Sequence, residues 1–209
     1  MSEIVSAKKK LRRTIKAAIK HYNQDKTLAQ EEAQKAANIF LCSSIFKKAK
    51  GILAYAATQN ELSIDIIIQA ALKYGKMVAL PKTEKTTTNM NFFVLDSKKT
   101  LQEQLILGNF DIREPAPYLY SIEQKNLPSP TIILIPGVAF TVNGFRLGHG
   151  KGYYDYYLSS FLNQKKNTTV KEFVGCCYNQ QIVKYIPTET HDISMDYILT
   201  PTDFLKCEN

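Results

Sequence analysis

The run Thr131-Ile132-Ile133-Leu134-Ile135 is apolar almost without interruption and stops at Pro136-Gly137. A strand with apolar groups on both faces has to be covered on both faces, which makes this the most convincing central strand of the chain. Two earlier segments fit beside it. Ile52–Ala56 reads as a short buried strand and Met77–Leu80 as a second, and between them Ser63 caps an amphipathic helix that reaches Tyr74. Strand, helix and strand in this rhythm predict parallel pairing under helical cover. Further strands are expected at Asn91–Leu95, Phe173–Cys177 and Tyr197–Leu199. Helices are expected at residues 3–21, at Leu28–Lys48 with Thr27 as its cap, and at Leu101–Leu107, Tyr153–Leu162 and Gln180–Tyr185. Residues 113–130 carry Pro115, Pro117, Pro128 and Pro130 and read as a long irregular covering loop. The expected fold is therefore α/β, a single three-layer domain over residues 1–209 with a mostly parallel central sheet flanked by helices.

Lys and Arg total 27 against 19 for Asp and Glu, a formal charge of +8. That excess suits a polyanionic partner, an anionic small substrate or simple solubility, and does not choose among them. No apolar run approaches the roughly 18 residues that cross a bilayer, and the N-terminus lacks the apolar core of a secretory signal. The expectation is a cytoplasmic protein with no membrane partner. Cys42, Cys176, Cys177 and Cys207 form no C-x-x-C pair and read as buried thiols. In the first helix Ile4, Leu11, Ile15, Ala18 and Ile19 recur at helical spacing, while Lys9, Arg13, Lys16 and Lys20 fall on the opposite, solvated side. Lys8 and Arg12, one turn apart, project along the edge of the apolar stripe. There they either meet an anion or lay their stems over the core edge.

The most unusual segment is Arg146-Leu147-Gly148-His149-Gly150-Lys151-Gly152-Tyr153-Tyr154-Asp155. Glycines at every second position allow positive φ and close approach of the backbone to a ligand, and amides freed from a regular ladder can point at an anion. Arg146 and Lys151 make a phosphate the natural anion. Asp155 falls just inside the next helix, where a metal ion could bridge it to phosphates. A Walker A loop is excluded, because Gly144 lies too far upstream and Gly152 follows Lys151. The dinucleotide fingerprint fails where Tyr153 stands in place of its third glycine or alanine. Of the cluster Tyr153, Tyr154, Tyr156 and Tyr157, helical geometry assigns part to the core.

Together these residues resemble the 5-formyltetrahydrofolate cyclo-ligase family, also called methenyltetrahydrofolate synthetase. The match runs from Pro136-Gly137 through the glycine-rich segment to Asp155. It is supported by Lys8 with Leu11-Arg12, by Glu61, by Leu80-Pro81, by Arg113-Glu114-Pro115 and by Asp192. The resemblance implies an enzyme that uses ATP and Mg2+ to convert 5-formyltetrahydrofolate into 5,10-methenyltetrahydrofolate, releasing ADP and phosphate. It implies ATP contacts from Lys8, Arg12, Arg146, Leu147, Gly148, His149, Gly150, Lys151, Gly152, Tyr153 and Tyr154. Folate contacts would come from Ala56, Glu61, Gly150, Lys151 and Tyr153, with Lys151 and Tyr153 as the catalytic residues. Asp155 and Asp192 would hold magnesium, with Asp196 competing for the second place. The implied partners are the two small substrates alone, with no nucleic acid, and the protein is expected to act as a monomer.

The chain departs from the family at His149, where many relatives carry arginine, and Thr141 and Ala56 also fall where relatives often differ. Without the resemblance, Glu61 would read as a solvated loop acid and His191 as a surface residue. Three other readings stand beside the enzyme. An RNA-binding protein would track phosphates with the helix from Lys8 to Lys20, but no RRM or KH signature is present. A sugar-phosphate isomerase would need a base such as Glu61 and no ATP. A folate-binding regulator would keep the fold without turnover.

Overall fold

The computed structural model describes residues 3–84, 87, 89–108, 112–163, 170–189 and 192–208. An eight-stranded sheet runs through it. In chain order its members are β1 (Gly51–Leu53), β2 (Met77–Thr83), β3 (Met90–Val94), β6 (Ser121–Ile122), β7 (Thr131–Pro136), β10 (Val170–Cys176), β11 (Tyr197–Leu199) and β12 (Phe204–Lys206). Their spatial order is β12-β11-β10-β7-β1-β2-β3-β6. The five middle strands pair in parallel, and antiparallel strands close both edges. Two small ladders stand apart, β4 (Leu105–Leu107) with β5 (Arg113–Pro115) and β8 (Ala139–Phe140) with β9 (Arg146–Leu147).

Strand β7 explains the three layers. All six of its residues are buried. Ile132 and Leu134 join one apolar cluster while Ile133 and Ile135 join another on the opposite face, as the two-residue period of a strand demands. The first cluster is roofed by helices α1 (Glu3–Tyr22), α2 (Lys26–Cys42), α3 (Ser44–Lys48) and α4 (Asp65–Lys73), through residues such as Ile19, Phe40, Phe46 and Ile68. The second is roofed by α5 (Tyr153–Asn163), through Leu158 and Phe161. Cys176 and Cys177, adjacent in sequence, lie one in each cluster and are almost fully buried. Cys207 is buried as well, whereas Cys42 is exposed, against the expectation for that thiol.

Several expected elements change form. The helix expected over Leu28–Lys48 is two helices. Asp25, not Thr27, caps the first by accepting from the Thr27 and Leu28 amides at 2.9 and 3.1 Å. Ser43 then leaves helical geometry at ψ 151° and caps α3 through Phe46 N at 3.2 Å. Ser63 does not cap α4. Ile64 holds that place, and the Ser63 hydroxyl accepts only from Asp65 N at 3.4 Å. The expected helix at Leu101–Leu107 is one 3-10 turn, Gln102–Gln104, followed by β4, because the Leu-Ile-Leu run finds a ladder partner in β5. The connection from 113 to 130 is less irregular than its prolines suggest, since it contributes β5 and the edge strand β6. The helix expected at Gln180–Tyr185 is the single turn Asn179–Gln181, and β12 is a strand without a sequence counterpart above. His191 lies outside the described residues.

Candidate active site

The carboxyl ends of β7 and β1 open onto a cleft of about 1090 Å3. Ligand clefts in open parallel sheets form at such ends, where successive connections leave the sheet on opposite faces. One wall comes from the chain after β7. The β8–β9 hairpin carries it to Arg146 and then into the loop Gly148–Gly152, which delivers α5. Gly150 has φ +102° and Gly152 φ +73°, a region other residues enter only with strain. The Gly152 carbonyl accepts from Tyr156 N at 2.9 Å, so the loop ends as the first turn of α5 begins. The other wall comes from the segment after β1, through Tyr55, Ala56, Thr58 and Glu61, and from Pro81 and Thr83 on β2.

Several charged groups of the cleft are held in pairs. The Arg146 side chain is 4% exposed, and its Nη2 donates to Asp155 Oδ1. Its guanidinium lies 5.7 Å from the centre of the Tyr154 ring. Arg146 Nε and the Tyr154 hydroxyl are buried without a hydrogen-bond partner among the described residues, which marks the place where a polar ligand would satisfy them. Burial pushes the Tyr154 hydroxyl up, so it is a donor and not a base. Across the cleft, Glu61 is buried with its side chain 8% exposed. His149 Nε2 lies 3.0 Å from its Oε1, and Thr58 N donates to its Oε2 at 2.8 Å. Burial opposes the charged carboxylate, but the hydrogen bonds from His149 and Thr58 outweigh it and hold Glu61 below the usual carboxyl value.

Behind the loop, α1 supplies two inward cations. Arg12 Nε donates to Gly148 O at 2.8 Å. Lys8 is buried, and its Nζ donates to Asp192 Oδ2 at 2.7 Å and to Glu189 Oε2 at 3.0 Å. Burial lowers the Lys8 pKa, yet the two carboxylates outweigh burial and raise it. Arg113 forms a two-pronged pair with Asp65, at 2.7 and 2.9 Å, on the margin of the same cleft.

The structure thus gathers Ala56, Glu61, Arg146, Gly148, His149, Gly150, Lys151, Gly152, Tyr153, Tyr154 and Asp155 around one volume. Lys8 and Asp192 do not line it and are bonded to each other. Leu147 is 1% exposed and its side chain belongs to the core, which leaves it backbone atoms to offer. Asp196 is engaged elsewhere, accepting from Phe173 N at 2.6 Å between β10 and β11. Of the tyrosines, Tyr157 packs on Phe92 and Phe161 while Tyr156 is largely exposed. Lys16, expected on the solvated face of α1, is exposed and also borders the cleft. Tyr55, Thr58, Pro81 and Thr83 had no assigned role in the sequence reading. Pro81 carried a signal as part of the Leu80-Pro81 match to the family, while Tyr55, Thr58 and Thr83 had only their position, just after the first strand and at the end of the second.

A magnesium ion fits this donor set in one specific way. Among the described residues no group of three or more His, Cys, Asp or Glu could hold a metal ion. Mg2+ commonly uses one or two carboxylates and takes its remaining oxygens from substrate phosphates and water. Asp155, in the first turn of α5, suits that mode.

The family model of 5-formyltetrahydrofolate cyclo-ligases matches residues 4–201. A Caenorhabditis elegans protein named as a probable 5-formyltetrahydrofolate cyclo-ligase is 32% identical over 199 residues, covering 95% of each chain. The Mus musculus 5-formyltetrahydrofolate cyclo-ligase is 27% identical and covers 93% of each. The solved 5,10-methenyltetrahydrofolate synthetase of Aquifex aeolicus superposes with a TM-score of 0.75 at 25% identity, over 97% of this chain and 93% of that one. With a match of this extent, the chain belongs to the 5-formyltetrahydrofolate cyclo-ligase family.

Proposed function

We propose that this protein converts 5-formyltetrahydrofolate into 5,10-methenyltetrahydrofolate at the expense of ATP, in a Mg2+-dependent reaction that releases ADP and phosphate. The observation that carries the reading is the pairing, across one cleft, of a cationic glycine-rich loop with a buried, ionised Glu61. The cleft of about 1090 Å3 lies just above the roughly 300–1,000 Å3 typical of a single-ligand site, which suits two substrates side by side.

In this reading the loop amides from Gly148 to Gly152 and the N-terminal end of α5 take the ATP phosphates. Glu61 accepts hydrogen bonds from the pterin ring, with Ala56 beside it. The formyl oxygen attacks the γ-phosphorus in line, forming an iminium phosphate and releasing ADP. N10 of the folate then closes the ring, losing its proton, and phosphate departs. No protein nucleophile is required, so catalysis reduces to positioning two ligands and neutralising charge that spreads over the phosphoryl group. Lys151 and Arg146 supply that neutralisation, and Tyr153, whose hydroxyl donates to Glu84 O at 3.2 Å, walls the junction of the two ligands. Asp155 with Asp192 would hold Mg2+, which would supply positive charge to offset the charge of the transferring phosphoryl group. Phosphates that drew Lys8 toward them would free Asp192 for that duty.

The reading places the protein in the cytoplasm as a monomer without nucleic-acid partners. No helix among the described residues is long and apolar enough to cross a membrane. Compartment does not follow from family, since an Arabidopsis thaliana relative is named as mitochondrial. The test is to mix the protein with 5-formyltetrahydrofolate, ATP and Mg2+ and follow the near-ultraviolet absorbance of the methenyl product. Growth that requires all three components supports the reading. A folded, ATP-binding protein that gives none overturns it.

A further inference from the structure

His149 sits at the centre of the glycine-rich loop, yet its imidazole bonds to an acid 88 residues away in sequence. The ring borders the large cleft and also a second cavity of about 210 Å3 walled by Ile15, Lys16 and Ile19 of α1. With open volume on two sides and a side chain 43% exposed, packing does not fix the orientation of the ring. Its contact with Glu61 Oε1 does. The acid is held in turn at three points: Oε2 by Thr58 N, its own amide by Thr58 O at 3.1 Å, and its carbonyl by the Tyr178 hydroxyl at 3.4 Å. Each carboxylate oxygen has two lone pairs and receives one donor from the described residues, so an acceptor position on each is left for a ligand.

We propose that His149 is a positioning residue for the folate half of the reaction: its Nε2–H, bonded to Oε1, keeps the Glu61 carboxylate aimed, from within the loop that wraps the nucleotide. The inference rests on the cyclo-ligase reading and changes it at one residue. Motif position puts His149 with the phosphate contacts, whereas the geometry puts its ring in the service of Glu61. The segment that receives ATP therefore also sets the acid that reads the pterin, and an arginine at this position would offer Glu61 a longer, differently shaped donor.

The experiment compares His149→Ala, His149→Gln, Glu61→Gln and the double variant His149→Ala/Glu61→Gln by KM for each substrate, after thermal melts confirm folding. Loss of one charge-assisted hydrogen bond should raise KM for 5-formyltetrahydrofolate about ten- to a hundredfold in His149→Ala, with KM for ATP moving less than about threefold. His149→Gln, which retains an N–H donor, should recover part of the loss. The double variant should be no worse than Glu61→Gln alone, because the two residues act as one unit. A rise in KM for ATP equal to that for folate, or multiplicative effects in the double variant, would overturn the proposal. A readout free of turnover accompanies it: the 15N resonances of the His149 ring should move in Glu61→Gln, and unchanged resonances overturn the inference alone. A wild-type protein that makes no methenyl product instead overturns the proposed function, and the folate half of the inference with it.

Discussion

Strand β7 and the loop Gly148–Gly152 are close in sequence and belong to the same site, but they are held in opposite ways. β7 is fixed by apolar contact on both faces, with β1 on one side and β10 on the other, and each of its side chains has many neighbours that share the load. The loop is fixed by single polar bonds to separate elements: Arg12 of α1 on Gly148 O, Glu61 on His149, and Tyr156 N on Gly152 O. A strand of the first kind tolerates no cavity and carries no chemistry. A loop of the second kind can lose one bond, keep the fold and lose the reaction. Stability and activity should therefore separate cleanly between the two regions.

Leu134→Ala tests the first half most severely. Leu134 is fully buried, and such truncations cost about 2–5 kcal/mol, a large part of the total stability of a domain. The expected result is a sharply lowered melting temperature in calorimetry and loss of all ligand binding together. Lys151→Ala should do the reverse, cutting kcat about 100-fold or more while moving the melting temperature little, since Lys151 is exposed on the loop. If Lys151→Ala unfolds the chain, or leaves kcat untouched, the contrast fails. Gly150→Ala is intermediate. Its φ of +102° strains any side chain by about 1–2 kcal/mol, and the added carbon would lie 3.5 Å from the Arg12 guanidinium. Weaker nucleotide binding by titration calorimetry with a modest loss of stability is expected.

The smallest effect concerns pH. Glu61 has a folded pKa below its ordinary value of 4.5, so the unfolded chain takes up its proton first as pH falls. Its contribution to stability is then present in full above 4.5 and is lost as pH drops through the lower, folded value. Glu61→Gln should flatten that acid limb in a series of melts and leave the neutral range nearly parallel to wild type. An unchanged acid limb would mean that the His149 and Thr58 bonds do not hold the carboxylate charged.

The same contrast governs what could be read from the amino acids. β7, α1 and α5 were legible because burial on one or two faces leaves a periodic trace in the residues themselves. The break at Ser43 and the ladder β4–β5 were not, because a cap or a strand partner is decided by geometry arriving from elsewhere in the chain. Within the site, the glycines and their charges announced an anion loop. The inward turn of Lys8 and Arg12 followed from helical spacing alone, although spacing left open whether they met an anion or the core edge. The partners were hidden. Nothing local to His149 indicates Glu61, and nothing near Lys8 indicates Glu189, since each contact joins segments that only the sheet topology brings together.

The split of Cys176 and Cys177 between the two faces of the sheet gives this chain an internal clock. Neither thiol can be reached without lifting a helical layer, and burial further suppresses the reactive thiolate, with Cys176 pushed up to about 12. Cys42 alone should react with a thiol reagent while the protein is folded. Each later increment of labelling, located by mass spectrometry, would then record the opening of one particular layer: α5 and its neighbours for Cys177 and Cys207, the α1–α4 side for Cys176.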